Sequence, residues 1–454
     1  MDKMSVKNAN LRDFIESLLS ESMSSVRKAN NCDYDKAKLV LSDLIMVAAS
    51  GTILDDDARA FAKKMINEQR QATILGLWKK TSLLNSMMAN AFSAHSLELD
   101  DWMPYGFFHA SAAIIPPLLA YGEIYSYTLE EVIDSVFFGY EVGARLGGFL
   151  GRQHFRYWHP TSTVGGVASA SSLAYLASDG SLDEVEKAFT LSLGYSSGIW
   201  KVIMSDVYLK PFSTVHAVFL AYLSNESREV IKKPSSDFFT SDKTLCKLLN
   251  GECNYEKALN VPWRLAIEKT SIKLYPIARN IQTVVQACSK IKQNVKPNEI
   301  ESVTVEVFEE AYQVADIENP QSIDEAKFSL KFVASLSLVD EVNGIRSISA
   351  GLRNPLVREL EKKIEIKTRE DFSLLYPSKQ PVRVIVKTKR GETIEVYEDE
   401  PIGDISSRNI EAIINKKAEM LSKDTGDLRL LAIPNAIKNI KLNESIGSVL
   451  EKLL

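Results

Sequence analysis

The chain of 454 residues has only four cysteines, and they are not arranged to bind metal. Cys32, Cys246, Cys253 and Cys288 show no CxxC spacing, which excludes a zinc knuckle and a cysteine-ligated iron–sulfur cluster. They read as reduced, buried cytosolic thiols. The opening MDKMSVKNANLRDF lacks the apolar run of a secretory signal. A basic excess is missing too: the net charge of −5 argues against a general nucleic-acid partner and against a polybasic membrane contact. Two long uncharged runs, 102–122 and 157–178, fail as membrane spans. Pro116-Pro117 breaks the first, and Gly, Ser and Thr around a histidine fill the second. No repeat of fixed period is present, so a solenoid is excluded. The expectation is a cytoplasmic globular protein.

What is present is ordinary in bulk, with 45% apolar and 25% charged residues. The length exceeds a typical single core, so two domains are expected. Apolar residues recur at helical spacing over 10–23, 34–50, 55–69, 83–97, 110–125, 129–149, 163–177, 182–194 and 213–223, with Gly51 as the stop of the second helix. The stretch 235–262 reads as irregular. After Lys269 the pattern becomes mixed: helix 278–292, an alternating strand 302–308, helices 322–339 and 355–365, then a hairpin of 382–388 and 392–397 across Arg390-Gly391. Helices return over 407–423 and 445–454. The fold expected is mostly α with an α+β second domain. A helical domain (1–268) carries an inserted α+β lid (269–401), and the C-terminal helices (402–454) return to the helical domain.

All five histidines, His95, His109, His154, His159 and His216, fall in the segment 94–216. The same segment holds the acidic cluster Glu98, Asp100 and Asp101 and an isolated Lys210. Imidazoles beside carboxylates and a lysine suit acid–base chemistry, because histidine changes charge near neutral pH. The acids are followed by an aromatic run ending in His109, a desolvating wall that can raise carboxylate pKa values. A plain helix cap explains the same acids equally well. His159 precedes Pro160 at the mouth of a small-residue helix, well placed to meet an anion. Lys210, between apolar neighbours, and Lys273, in SIKLYP, can each reach into a cleft or lie at the surface. His95, His154 and His216 read as structural or rim residues.

Taken together, several segments resemble the MmgE/PrpD family, which includes 2-methylcitrate dehydratase and cis-aconitate decarboxylase. They are HSLELDD with His109-Ala-Ser, GYEVGARLG at 139–147, HPTSTVGG at 159–166, Ser197-Gly198, Lys210, KLYP at 273–276, DEAKFSL at 324–330 and Gly403-Asp404. The resemblance implies a helical domain with an α+β lid, a homodimer, and lyase chemistry on small di- or tricarboxylates with no metal or organic cofactor. It implies Glu98, His109 and His159 as catalytic residues, and Asp101, Lys210 and Lys273 as substrate-binding residues. The reaction implied is proton abstraction next to a carboxylate, ending in dehydration or decarboxylation. An epimerase or isomerase using the same proton abstraction is the second reading, and a non-catalytic carboxylate binder the third. This chain departs from the family pattern at Glu98 (usually aspartate), at Trp102 (commonly threonine), by one additional residue between Asp101 and His109, and at Ala278 and Gln282. These changes alter the pocket, so the particular acid does not transfer.

Overall fold

The computed structural model describes residues 11–232, 249–405 and 407–453. Helix α1 (Leu11–Val26) is followed by α2 (Asn31–Leu54), which is buried along most of its length. Asn30 opens α2 by accepting from Cys32 N at 2.9 Å, while Asp33 reaches back to Asn30 N at 2.8 Å. Gly51 does not stop this helix, contrary to the sequence reading. Here α2 crosses α4 (Leu83–Ser96) so closely that a Cβ would lie 2.0 Å from the Ser93 carbonyl oxygen, so the glycine serves contact, not termination. The stop comes at Asp55, whose side chain instead caps α3 (Asp56–Lys64) by accepting from Ala58 N at 2.8 Å. Among the described residues α2 is the one helix long and apolar enough to cross a membrane, and 83% of its apolar window is buried within the protein. A short hairpin, β1 (Ala72–Ile74) with β2 (Lys79–Thr81), carried no alternation signal long enough to read.

The helical body continues with α5 (Ala110–Tyr125), α6 (Leu129–Phe155), α7 (Pro160–Ala177), α8 (Leu182–Gly194), α9 (Trp200–Ser205) and α10 (Phe212–Ser227). Helix α7 packs against α5, α6, α8 and α10 at once, which its Gly, Ala and Ser faces permit. In the second region a four-stranded sheet has the order β4-β3-β5-β6. Here β3 (Ile300–Val307) pairs parallel with β4 (Ile364–Thr368) and antiparallel with β5 (Val382–Thr388), which forms a hairpin with β6 (Thr393–Glu398). Two readings need correction. The segment 322–339 is two helices, Ile323–Ala326 and Leu330–Val339, because Ser329 caps the second by accepting from Phe332 N at 3.3 Å. Helix Pro355–Glu361 ends early, and the residues after it form β4, where Ile364 is buried and Glu365 points outward.

The C-terminal helices Ile410–Thr425 and Arg429–Asn439 lie against α2, and Ile446–Glu451 lies against α5. Lys38 Nζ donates to Ile440 O at 2.7 Å, and Leu129 N to Glu444 O at 2.8 Å. The deepest link is an ion pair with no solvent exposure to speak of: Lys417 Nζ sits 2.6 Å from Asp43 Oδ1 on α2. The same ammonium donates to Leu99 O at 2.6 Å, the carbonyl between Glu98 and Asp100. The cysteine reading holds only for Cys288, which is free and buried; Cys32 is exposed, Cys253 is disulfide-bonded, and Cys246 lies outside the described residues. Of the stretch 235–262, residues 233–248 are likewise outside, and Tyr255–Leu259 is helical.

Removing one member of a buried ion pair leaves the other uncompensated, at a cost of about 3–5 kcal/mol. Lys417→Met is therefore expected to lower stability by about that amount in a denaturant titration, and Lys417→Met with Asp43→Leu to recover part of it. A single variant as stable as the parent would show that the pair carries no such burden.

Candidate functional site

Two histidines stand at matching places in the fold. His109 immediately precedes α5 and His159 immediately precedes α7, and neither side chain caps its helix. Because α5 and α7 pack side by side, their N-termini converge; His109 N donates to Thr161 Oγ1 at 3.2 Å. The loop carrying His109 is pressed onto α6, where a Cβ on Gly147 would lie 2.3 Å from Gly106 Cα. Two positive helix ends therefore face one buried space.

The loop after α4 supplies the acids. Glu98 adopts φ 54, a left-handed conformation uncommon for a side chain of its kind, and is 3% exposed. Its Oε1 accepts from Lys210 Nζ, and its Oε2 accepts from Lys273 Nζ at 3.1 Å. Lys210 also donates to His95 Nε2 at 3.2 Å. His95 Nδ1 in turn donates to Asp100 Oδ2 at 2.7 Å, an assignment that follows from Lys210 occupying the other nitrogen. Asp100 Oδ2 is 3.3 Å from His109 Nδ1, and Asp100 Oδ1 is 3.8 Å from Lys273 Nζ. The result is a continuous array: Lys273, Glu98, Lys210, His95, Asp100, His109.

Burial sets the protonation states. Desolvation opposes the charge on Glu98, yet Lys210 and then Lys273 hold its carboxyl well below the usual range. Desolvation likewise opposes the Asp100 charge, and His109 and His95 overcome it. Burial pulls His109 down to about 3 against the opposing field of Asp100. Burial also pulls His159 well below its ordinary value, with Lys210 reinforcing the shift. Both imidazoles are neutral at pH 7 and can accept a proton. Lys210 is lowered by burial, opposed by Glu98.

His109, His159, Lys210 and Glu98 line one cavity together with Trp102, Phe107, Phe155, Trp200 and Phe328. His159 lies flat on Trp200, with ring centroids 5.0 Å apart and planes at 10°, and its Nδ1 has no hydrogen-bond partner. The chain thus brings together five of the six residues named from the sequence. Asp101 is placed otherwise: it accepts from Ser111 N at 2.8 Å, Tyr140 Oη at 2.6 Å and Thr270 Oγ1 at 2.8 Å. Both its oxygens are occupied, so its geometry is that of a brace between α5, α6 and the Thr270 segment, not of a substrate ligand.

His154 and His216 are the structural histidines they were read as. His154 is bonded to Leu249 O at 2.6 Å and Thr163 Oγ1 at 2.7 Å, and His216 to Ser162 Oγ at 3.0 Å and Ser197 Oγ at 3.2 Å. His95 is not a rim residue but the middle of the array, a correction that required seeing Lys210 and Asp100 on its two nitrogens. The further lining residues that were missed include Trp200 and Arg279. A signal for Arg279 existed: it is the lone charge between Lys273 and Lys290. Of the departures, Trp102 packs on His109 at 5.3 Å and Ala278 lines the cavity. Gln282 bonds Tyr275 O at 2.9 Å and Ile277 O at 3.1 Å, folding the turn after Lys273.

His95, Asp100 and His109 place three ligand-type atoms within 4.8 Å of one another, a grouping that could hold a metal ion. The shared Asp100 oxygen is already bonded to His95 at 2.7 Å, and the Lys273 ammonium stands 3.8 Å from the other oxygen. A divalent cation would have to break that bond and sit beside a fixed positive charge. The set reads as a hydrogen bond between His95 and Asp100 with His109 in close polar contact.

None of the curated proteins compared with the chain matches it. Two family models do: the MmgE/PrpD N-terminal domain over residues 14–230 and the MmgE/PrpD C-terminal domain over residues 275–429. This supports a dehydratase-like role on small carboxylates. With matches over both its helical part and its α+β part, the chain belongs to the MmgE/PrpD family.

Proposed function

We propose that the protein is a lyase acting on a small di- or tricarboxylate, either removing a proton next to a carboxylate while a hydroxyl leaves as water, or releasing carbon dioxide while the carbon left behind takes up a proton. The observation that carries this reading is the pairing of two neutral, buried imidazoles with a buried ammonium in one cavity. Glu98 is a poor base, because two ammonium groups already stabilise its charged form. The base is His109: Asp100, 3.3 Å from Nδ1, steadies the imidazolium that forms when Nε2 takes the proton. Charge then builds on the adjacent substrate carboxylate, and Lys210 and Lys273 oppose it. In dehydration the C–H pair becomes the new double bond and the hydroxyl leaves as water, with a proton from His159. The substrate's own carboxylates raise the His159 pKa on binding and so prepare it for that role. All these proton transfers use side chains of this chain.

An epimerase is the second reading, because two neutral imidazoles in one cavity are also what a two-base mechanism requires. Proton NMR in deuterated buffer with citrate, 2-methylcitrate and cis-aconitate separates the two. New olefinic or decarboxylated product supports the lyase; deuterium uptake without product supports the epimerase; neither one sinks both.

With a working substrate, His109→Ala and His159→Ala should each depress kcat by about a hundredfold or more with folding intact. If both leave turnover unchanged, the cluster is structural. The acid limb of kcat/KM reports the base in the free enzyme. Since burial takes His109 to about 3, that limb should fall well below the ordinary imidazole value of about 6.5. An acid limb at ordinary imidazole pH would count against a buried histidine base.

We also propose a homodimer through the face around α9 and α10. Ile199, Val202, Tyr208, Leu209, Phe212 and Phe219 are exposed there, and a cluster of exposed apolar residues marks an interaction surface. Light scattering at micromolar concentration should give twice the chain mass, and Val202→Glu with Phe219→Glu should halve it. A parent protein that scatters as a monomer ends the proposal.

A further inference from the structure

Among the described residues, one cation lining the cavity has no part in the lyase reading. Arg279 begins the turn Arg279–Ile281 that leads into helix Gln282–Lys292, and it is 7% exposed. Its Nη2 donates to Ser271 Oγ at 2.9 Å, while Nε and Nη1 are buried with no hydrogen-bond partner. The side chain lines the same cavity as His109, His159 and Lys210, and on its other side it borders a cleft lined by residues 377–380 and 399–404. It therefore stands between the cavity and that cleft.

Charge accounting singles it out. Glu98 and Asp100 are matched by Lys210 and Lys273. Lys417 is matched by Asp43, and Lys327 by Asp324 at 2.6 Å. Arg279 is not hydrogen-bonded to any carboxylate. Asp404 acts on it through space, as does Tyr376, and burial draws it down to about 10, still protonated at neutral pH. A buried guanidinium with unsatisfied donors is costly unless an anion completes it. A planar fork of N–H groups fits a carboxylate best.

We propose that Arg279 is the specificity-determining anchor for a second substrate carboxylate, so that acids with two or more carboxylates are selected over monocarboxylates. This rests on the lyase reading of the same cavity. Lys210 and Lys273 serve the carboxylate beside the carbon that loses its proton; Arg279, on the opposite domain's turn and between the cavity and the cleft, holds the distal one. The distal contact fixes the orientation of the chain of carbons and draws the α+β region onto the helical body.

The probe is propane-1,2,3-tricarboxylate, which has no hydroxyl to expel, titrated calorimetrically into the full-length protein, with propionate and inorganic phosphate as comparisons. The wild type should bind the tricarboxylate at least tenfold more tightly than propionate or phosphate. Arg279→Gln should lose that advantage by tenfold or more, and Arg279→Lys should lie between, because it keeps the charge without the fork. Arg279→Met, which removes an uncompensated buried charge, should melt no lower than the wild type without ligand yet fail to bind the probe. Unchanged tricarboxylate affinity in Arg279→Gln overturns the anchor, as does phosphate binding as tightly as the tricarboxylate, or a lower melting temperature of Arg279→Met with binding intact. The two readings fail separately. Arg279-dependent binding with neither turnover nor deuterium exchange removes the lyase and keeps the anchor; turnover with the same KM in wild type and Arg279→Gln does the reverse.

Discussion

The cost of burying charge governs this molecule. Glu98, Asp100, Lys210, Lys273, Lys417 and Asp43 are all nearly or wholly inaccessible to solvent. An isolated ion in such a place is unstable, so these acids and cations are paired with one another. Glu98 satisfies two lysines from different parts of the chain, one just before α10 and one in the 270–273 segment. Lys417 reaches from a C-terminal helix to Asp43 on α2 and to the backbone of the acidic loop. Neutralisation and positioning are here the same act: the pairs that make burial tolerable also hold the acidic loop between two domains.

The same constraint decides which groups can do chemistry. Carboxylates clamped by ammonium groups are stabilised as anions and become weak bases. The imidazoles receive no comparable compensation, so burial keeps them neutral and able to accept protons. In the proposed mechanism the division of labour follows from environment, with lysines countering charge, histidines moving protons and carboxylates orienting both. The helix N-termini of α5 and α7 add a positive field to the same space, which favours an anionic ligand over a neutral one.

Much of the fold was legible because its signals are local. The helices of the N-terminal half appear as 3.6-residue periodicity, β3 and the β5–β6 hairpin as alternation, and the family resemblance matched both regions of the chain. Reading failed where tertiary contact overrides local preference. Gly51 lies inside α2 because α4 must touch it, and Ile364–Thr368 leaves the helix because β3 offers an open edge for parallel pairing.

For the site, the sequence by itself determined the inventory: HSLELDD, His109, HPTST, Lys210 and Lys273 were identifiable as residue types suited to proton transfer on an anion. Which of them share a cavity was decided only by the tertiary structure, because that depends on the crossing of α5 and α7 and on loops from two domains. The three-dimensional arrangement moved His95 from bystander to the centre of the array, gave Asp101 to Ser111, Tyr140 and Thr270, and left Arg279 with unsatisfied donors at the cavity. The physical reason is that a side chain's chemistry is set by its partners and its distance from water. Lys210, close in space to His95, lies 115 residues from it, a separation over which pattern and propensity carry no information about contact.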